Sequence, residues 1–207
     1  MALVVRLIIA LSFVLAAPQA TPIGRRPTTR YDDFFRKYSK RYFGPGFAWR
    51  IFKAQAIAES GLDSAAVSDV GARGIMQLMP ATFGDFQAQR ADAKGVEDPQ
   101  TNIAAGIAHD AYLWKLFGSI EPNSHHYRFM MAAYNAGEGT IQRAQKVAAV
   151  ANADPNTWSG VASVAPKVPR WRYRETLGYV RKIGENYGTL SSSAPHLGVG
   201  APPAPRP

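Results

Sequence analysis

The sequence predicts an all-α fold, and three observations support this prediction. Apolar residues recur at steps of three and four, no stretch alternates with period two for long enough to form a strand, and glycine or proline separates the periodic segments. The helical spacing is clearest in two runs, Phe47, Ile51, Ala54, Ala58 and then Ile103, Ile107, Ala111, Trp114. A compact domain of short helices follows.

Six to eight helices are expected, and seven can be placed, at residues 30–42, 47–59, 80–89, 101–118, 123–136, 138–151 and 174–187. Their ends follow helix-breaking residues, in chain order Gly44-Pro45-Gly46, Gly61, Pro80, Pro99, Gly118, Pro122, Gly137 and Pro155. The segment 60–77 has glycines and no periodicity, so we predict a long structured loop, of a kind that often carries function. Residues 152–174 match no motif.

Both ends of the chain differ from this helical region. Residues 1–20 combine Arg6, an apolar run from Leu7 to Ala17 and small residues, which is the pattern of a signal peptide. The run is shorter than the ~20 residues that span a bilayer. We therefore predict a signal peptide at 1–20, a linker at 21–28, one catalytic domain at 29–190, and a disordered tail rich in Pro, Ala and Ser at 191–207.

Composition excludes several kinds of chemistry. The 207 residues carry 24 Lys and Arg against 15 Asp and Glu, a net charge of +9, and contain no cysteine. Disulfides, thiol nucleophiles and thiolate metal sites are excluded. The sequence contains no G-x-S-x-G, phosphate-loop or dinucleotide motif, and the four histidines lack metal-ligand spacing. We expect no metal and no cofactor; the positive charge predicts an anionic partner without identifying it.

Glu59 is the carboxylate with the most informative position. It lies on the last turn of a predicted helix, before Gly61, which we expect to end that helix in the left-handed conformation. The carbonyl end of a helix disfavours negative charge, and burial among apolar neighbours would raise the pKa of Glu59. A carboxyl group that stays protonated near neutral pH can act as a general acid. The alternative is an ordinary exposed glutamate at a helix end.

Four motifs in order resemble the family-1 lytic transglycosylases, relatives of goose-type lysozyme. The first is AESGLDSAAVSDVGARGIMQLMPAT, from Ala58 to Thr82. The others are Asp98-Pro99 with Asn102-Ile103 and Gly106, then Ala133-Tyr134-Asn135-Ala136-Gly137, then Glu175-Thr176 with Tyr179-Val180. Together they extend over about 120 residues, and no one of them would be specific alone. The resemblance implies a lysozyme-like helical domain with a substrate cleft.

The resemblance also implies a reaction and its acid. Glu59 matches the family's single catalytic acid, which protonates the β-1,4 glycosidic oxygen between N-acetylmuramic acid and N-acetylglucosamine. The same carboxylate then takes the proton of the muramoyl C6 hydroxyl, which closes on C1 to give a 1,6-anhydro sugar. No second carboxylate is needed, unlike in a glycosidase that uses water. We interpret Asp63 as a turn residue and Asp69 as solvated.

The remaining site residues are carried over by their place in the motifs. Ser60 matches a family serine near the scissile bond, although a serine at a helix end can also bond its own backbone. Gly74, Ile75, Met76 and Gln77 match the segment that lines the cleft. Met76 is expected either as an apolar floor for a sugar or as a core residue, and Gln77 as a partner for an N-acetyl group.

The last two motifs supply four further candidates. Tyr134 and Asn135 match cleft residues, with Tyr134 expected to orient the acid. Glu175 resembles a residue that orients cleft groups, and Tyr179 one that lines the cleft, although Tyr179 could equally be a packing residue. One departure is clear: the family's usual Tyr-Leu pair after Gly106 is replaced here by His109-Asp110.

The sequence leaves three alternatives beside a lytic transglycosylase. A goose-type lysozyme-like hydrolase would need Asp63 or Asp69 to position water, and a non-catalytic wall-binding protein would not need Glu59. A nucleic-acid binder is supported by charge alone, and we expect no nucleic-acid partner. The expected partner is peptidoglycan, with a cell-envelope machine as a further candidate. We expect a monomer exported to the periplasm or cell envelope, or a secreted or virion protein if virus-encoded, with membrane contact only through an uncleaved signal segment.

Overall fold

The computed structural model describes residues 29–118, 120 and 124–192. These residues form eight α-helices and one 3₁₀ turn and no strand; their extended pairing is limited to isolated bridges from Arg73 to Val67 and to Leu78. The predicted all-α fold is confirmed. The predicted signal peptide at 1–20, the linker at 21–28 and the tail from residue 193 onward lie outside the described residues.

The helices in chain order are α1 (Asp32–Phe43), α2 (Arg50–Ser60), α3 (Pro80–Ala88), α4 (Pro99–Leu116), α5 (Ser124–Ala136), α6 (Glu138–Val150), α7 (Trp158–Ser163) and α8 (Tyr173–Ser192), with the 3₁₀ turn at Ala165–Lys167 before α8. All seven predicted helices are present, and apart from the end of α8 their limits differ from the predicted ones by at most three residues. Helix α8 continues two residues past the predicted domain end at 190, and Leu190 on its last turns is buried.

The segment 152–174, which matches no motif, contains a helix that the periodicity does not reveal. Helix α7 is only six residues long, too short for a repeat to be recognised. The Thr157 hydroxyl caps it by accepting the Gly160 N–H at 3.2 Å, and Trp158 and Val161 are buried against the core.

Helix α2 forms the centre of the core. All its residues from 51 to 56 are buried, and it packs mainly against α8. Burial extends even to Lys53, whose ammonium pairs with Asp32 at the start of α1. From Ile57 to Ser60 the helix is only half-buried. The C-terminal end of α2, including Glu59, therefore lies partly at the protein surface.

The loop after α2 is structured, as predicted. Its backbone takes positive φ at five places, Gly61, Leu62, Gly71, Gly74 and Gln77, so it reverses direction repeatedly. Three of its side chains, Ile75, Met76 and Leu78, are almost fully buried. This burial attaches the loop to the core, which explains its defined shape despite the lack of secondary structure.

The part of the chain that the structure describes offers neither a membrane span nor a metal cluster. Among these residues, no helix has the length and apolar character needed to cross a membrane. Over the same ranges, no three His, Asp or Glu side chains are grouped so that they could hold a metal ion.

Candidate active site

Glu59 occupies the last turn of α2, where the chain leaves the helix. Gly61 follows in the left-handed conformation, with φ 66° and ψ 22°, and its N–H donates to the Ile57 carbonyl at 3.1 Å. Glycine adopts this conformation without the steric cost of a Cβ, which explains why the helix ends here. The predicted helix end at Gly61 is confirmed.

The environment of Glu59 favours its neutral form. Burial raises the pKa of the Glu59 carboxyl from 4.5 to about 8, against smaller opposing effects of the Tyr179 hydroxyl and the Lys182 ammonium. The predicted increase in the pKa is confirmed. At neutral pH the carboxyl group is mostly protonated, and its partly exposed position allows it to donate that proton to a bound molecule.

Tyr179 is the side chain that contacts the acid directly. Its hydroxyl donates a hydrogen bond of 2.5 Å to Glu59 Oε1, across 120 residues of sequence. Burial raises the pKa of Tyr179 well above its usual value, so the phenol keeps its proton and remains a donor. It can therefore stabilise Glu59 as a carboxylate after proton transfer.

Tyr134, which was expected to orient the acid, is bonded to the loop. Its hydroxyl donates to the Met76 carbonyl at 2.7 Å. The negative charge of Glu59 adds to burial in raising the pKa of Tyr134, so the two groups are close without a direct hydrogen bond between them in the structure. Of the two tyrosines, Tyr179 is therefore the one that holds Glu59.

Ser60 and Asn102 also hold the loop beside Glu59. The Ser60 hydroxyl donates to the Ile75 carbonyl at 2.9 Å, and Asn102 Oδ1 accepts the Met76 N–H at 2.8 Å. The Asn102 amide donates to the carbonyls of Arg73 at 3.0 Å and Val96 at 2.8 Å. Side chains from α2, α4 and α5 thus fix residues 75 and 76 relative to the acid.

Two glycines allow the backbone to pack closely here. A Cβ on Gly74, whose φ is 76°, would overlap the Asn102 amide and lie 3.0 Å from the Val96 carbonyl oxygen. A Cβ on Gly106 would lie 2.7 Å from Met76 Cγ. Met76 itself is fully buried against Gly106, so its side chain has no exposed surface for a sugar. Of the two roles expected for Met76, the structure shows the core role.

Three other predicted site residues lie around this centre. The Gln77 amide donates to the carbonyls of Gly74 at 2.9 Å and Ala66 at 3.2 Å, which uses its N–H groups inside the loop. Glu175, on the first turn of α8, pairs with Arg172 just before that helix at 3.2 Å. Asn135 is half-buried next to Tyr134 on α5.

Sequence reasoning missed two buried polar residues next to the acid, Gln55 and Asp110. Gln55 lies one turn before Glu59 on α2, and Asp110 lies on α4; both have no exposed surface. The charge of Glu59 raises the pKa of Asp110, which shows that the two carboxyl groups are near each other. The sequence signal that could have identified the pair was Asp110, a carboxylate in a largely apolar helix, at the point where the sequence departs from the family pattern.

The fold and the site together define a helical domain of the lysozyme-like class, with one protonated carboxyl group at the partly exposed end of its central helix. The chain belongs to the transglycosylase SLT domain family, whose model matches residues 34–156, more than half of the sequence. The family predicted from the four motifs is confirmed.

Individual relatives agree with this assignment. The chain is 33% identical over 157 residues to the membrane-bound lytic murein transglycosylase F of Desulfosudis oleivorans, covering 73% of this chain and 32% of that protein. It is 31% identical over 173 residues to the enzyme of the same name from Shewanella pealeana, covering 78% of this chain and 34% of that protein. The chain therefore spans about a third of the length of these curated relatives.

A solved structure shares the fold. The 70 kDa soluble lytic transglycosylase from Escherichia coli superposes with a TM-score of 0.61 and 26% sequence identity. The match covers 81% of this chain and 25% of that one. The similarity thus extends over most of this chain and over one part of a larger protein.

Proposed function

We propose that this protein is a peptidoglycan lytic transglycosylase that cleaves the β-1,4 bond between N-acetylmuramic acid and N-acetylglucosamine and forms 1,6-anhydro-N-acetylmuramic acid. The observation that carries the proposal is Glu59, a single partly exposed carboxyl group with a pKa raised to about 8. Membership of the SLT family and the lytic transglycosylase names of the relatives support the same reaction.

In the proposed reaction, Glu59 acts first as an acid and then as a base. Its O–H protonates the glycosidic oxygen as the bond from that oxygen to C1 of the muramoyl residue breaks. The hydrogen bond from Tyr179 and the positive charge of Lys182 stabilise the resulting carboxylate. The muramoyl C6 hydroxyl then bonds to C1 and returns its proton to Glu59. The enzyme ends in its starting state, and water is not consumed.

The bonding of Asp63 and the burial of Asp110 support this reaction over hydrolysis. A hydrolase needs a second carboxylate to activate water or to act as nucleophile. Asp63 accepts the Ala65 N–H at 2.9 Å within its own turn, as expected for a turn residue, and Asp110 is fully buried. Asp69 is exposed on the same loop and is the carboxylate that the alternative hydrolase would have to use.

The products of digestion test the proposed function. Purified sacculi are digested with the protein, and the released muropeptides are analysed by mass. We expect 1,6-anhydromuramoyl ends, which are lighter than reducing ends by one water. Reducing ends would instead support the goose-type hydrolase, and no release by a folded protein that binds sacculi would support a wall-binding role.

Removing the Tyr179 hydroxyl should change the pH dependence of cleavage. In the parent protein we expect the rate to fall as the pH rises through about 8, where Glu59 loses its proton. Because the hydrogen bond from Tyr179 lowers the pKa of Glu59, Tyr179→Phe should move this fall to higher pH and reduce kcat about tenfold or more. Initial rates measured from pH 5 to 10 on solubilised glycan strands give both values.

Tyr187→Phe is the matched control for this prediction, since it removes a hydroxyl from the same helix at a half-buried position. This variant should have the same pH dependence of cleavage as the parent protein. A Tyr179→Phe profile that coincides with the parent profile would show that the hydroxyl does not act on the acid.

We also propose that the protein is exported through its first 20 residues, acts in the cell envelope as a monomer and has peptidoglycan as its main partner. The apolar run from Leu7 to Ala17 supports export, and the net charge of +9 favours association with an acidic polymer. The relatives are named membrane-bound murein enzymes. The mass of the protein recovered from the envelope fraction tests cleavage near Ala16 or Ala20.

A further inference from the structure

Two fully buried polar side chains face each other directly behind Glu59. Gln55 is on α2, one helical turn before Glu59, and Asp110 is on α4. The Gln55 amide Nε2 donates to Asp110 Oδ1 at 3.3 Å. A carboxyl group and a primary amide that meet in this way can form either one hydrogen bond or two, depending on the protonation of the acid.

The remaining oxygen of each side chain indicates whether the pair forms one hydrogen bond or two. Gln55 Oε1 and Asp110 Oδ2 are both buried, and neither has a hydrogen-bond partner among the residues that the structure describes. While the acid is ionised, both of these oxygens are hydrogen-bond acceptors, so they cannot form a hydrogen bond with each other. A single proton on Asp110 Oδ2 converts that oxygen into a donor for Gln55 Oε1, which satisfies both atoms and closes a two-bond ring.

Charges near Asp110 point in the same direction. No basic side chain in the described ranges forms an ion pair with Asp110. Burial raises the pKa of Asp110 well above its usual range, the Gln55 hydrogen bond opposes part of this increase, and the charge of Glu59 adds a smaller increase. An ionised carboxylate would be buried here without compensating charge, which is costly.

The groups around Asp110 are acidic or neutral. Glu59 on α2, Tyr134 on α5 and Tyr179 on α8 are the acidic groups electrostatically coupled to it. His109, the neighbour on α4, packs edge-on against Tyr134, and burial lowers its pKa, so it is neutral at pH 7. Lys182 acts on Glu59 rather than on Asp110. The cluster therefore has little positive charge with which to balance two carboxylates.

We propose that Asp110 is a permanently neutral carboxylic acid, joined to the Gln55 amide by two hydrogen bonds, and that it serves as a positioning residue which keeps the region behind Glu59 uncharged. Its effect on catalysis rests on the proposed function. During cleavage Glu59 must become a carboxylate for a short time. A second negative charge on Asp110 of the neighbouring helix α4 would oppose this step, whereas a neutral acid–amide pair supports the end of α2 without adding charge.

Carboxyl ¹³C NMR of the full chain tests the protonation state without any activity assay. With ¹³C-labelled aspartate, one side-chain signal of the parent protein should stay at the position of a protonated acid through pH 7. Asp110→Asn should remove that signal, while Asp33→Asn, at a side chain 95% exposed, should not. If every aspartate signal has moved to its ionised position by about pH 6, the proposal is wrong.

The pKa of Glu59, followed by the same method with ¹³C-labelled glutamate, tests the positioning role. Asparagine can form both hydrogen bonds with Gln55, so Asp110→Asn should change the pKa of Glu59 by less than about 0.3 units. A fall of a unit or more would show that Asp110 carries a charge in the parent protein, and would overturn the proposal. Asp110→Leu, which leaves the Gln55 amide unpaired, should lower the melting temperature, and Asp110→Asn should restore it.

The two measurements remain informative if the proposed function fails. A protein that releases no anhydromuropeptides can still show a protonated Asp110 and an unchanged pKa of Glu59 in the asparagine variant. Conversely, anhydro products together with an ionised Asp110 would support the reaction and reject the neutral pair.

Discussion

Glu59→Gln should reduce cleavage of peptidoglycan by about 10² to 10⁴-fold, the range that one general acid–base group contributes. Glutamine has nearly the same shape, but it can neither protonate the glycosidic oxygen nor accept the proton of the C6 hydroxyl. The residue is not part of the core, so the fold and the binding of sacculi should be retained. The measurement is release of muropeptides beside a sedimentation assay for binding.

Glu185→Gln is the control, because Glu185 is an exposed glutamate on α8 that pairs only at the surface with Arg181 at 3.4 Å. It should retain nearly full activity. Cleavage by Glu59→Gln at a rate close to that of the parent would remove Glu59 from the role of acid and return the site assignment to the other carboxyl groups.

Glu59→Gln should also change the stability of the protein in a pH-dependent way. The pKa of Glu59 is raised on folding, so its favourable contribution is complete below the unfolded value of about 4.5 and is lost as the pH rises through about 8. The Glu59→Gln variant lacks this loss. Relative to the parent it should therefore gain stability between pH 5 and 9, on the order of a few kcal/mol. Denaturant unfolding at several pH values measures the difference in stability between variant and parent. A difference that stays constant across these pH values would contradict the prediction.

Asn102→Leu should produce the second large effect, a loss of roughly 3 to 5 kcal/mol in the free energy of unfolding. Asn102 is buried and uses both ends of its amide: Oδ1 accepts the Met76 N–H, and Nδ2 donates to two carbonyls, of Arg73 and Val96. Leucine has a similar volume but leaves the Met76 N–H and the Val96 carbonyl without a partner, at about 1 to 3 kcal/mol each, whereas the Arg73 carbonyl still accepts the Leu78 N–H at 2.9 Å. Urea unfolding monitored by circular dichroism measures the loss.

The loop beside Glu59 should also lose its order in this variant. Because Asn102 holds the Met76 N–H, hydrogen exchange at that amide should accelerate more than exchange in the centre of α2. Gln89→Leu is the control, since Gln89 forms one exposed hydrogen bond of 3.2 Å to the Asp85 carbonyl and should change stability by less than about 0.5 kcal/mol. Equal stability of the two variants would show that the hydrogen bonds of Asn102 to the backbone are not needed.

Local sequence was sufficient to predict most of the helices. Helix α2 shows why: its apolar spacing, its end at Gly61 and its loop are all encoded within about 30 residues, and the structure agrees with each. Helix α7 was missed because six residues give no repeat, and it is stabilised by burial of Trp158 and Val161, which depends on distant parts of the chain.

The site divides in the same way. The motifs selected Glu59, Ser60, Tyr134 and Tyr179, but they could not show which of the two tyrosines forms a hydrogen bond with Glu59. That depends on how α8 packs on α2, and in the structure the Tyr179 hydroxyl meets Glu59 whereas Tyr134 bonds the loop. The pairing of Gln55 with Asp110 has no local signature, because the two residues are 55 positions apart on different helices.

The sequence by itself determined the all-α class, the family and the position of the acid at a helix end, because these follow from spacing and from short motifs. The tertiary structure alone decided how far the pKa of Glu59 rises, its hydrogen bond with Tyr179 and the buried pair behind it. The physical reason is that desolvation and electrostatic coupling depend on distances between groups that lie far apart along the chain. One carboxyl group becomes an acid suited to neutral pH only when α2, α4, α5 and α8 have packed around it.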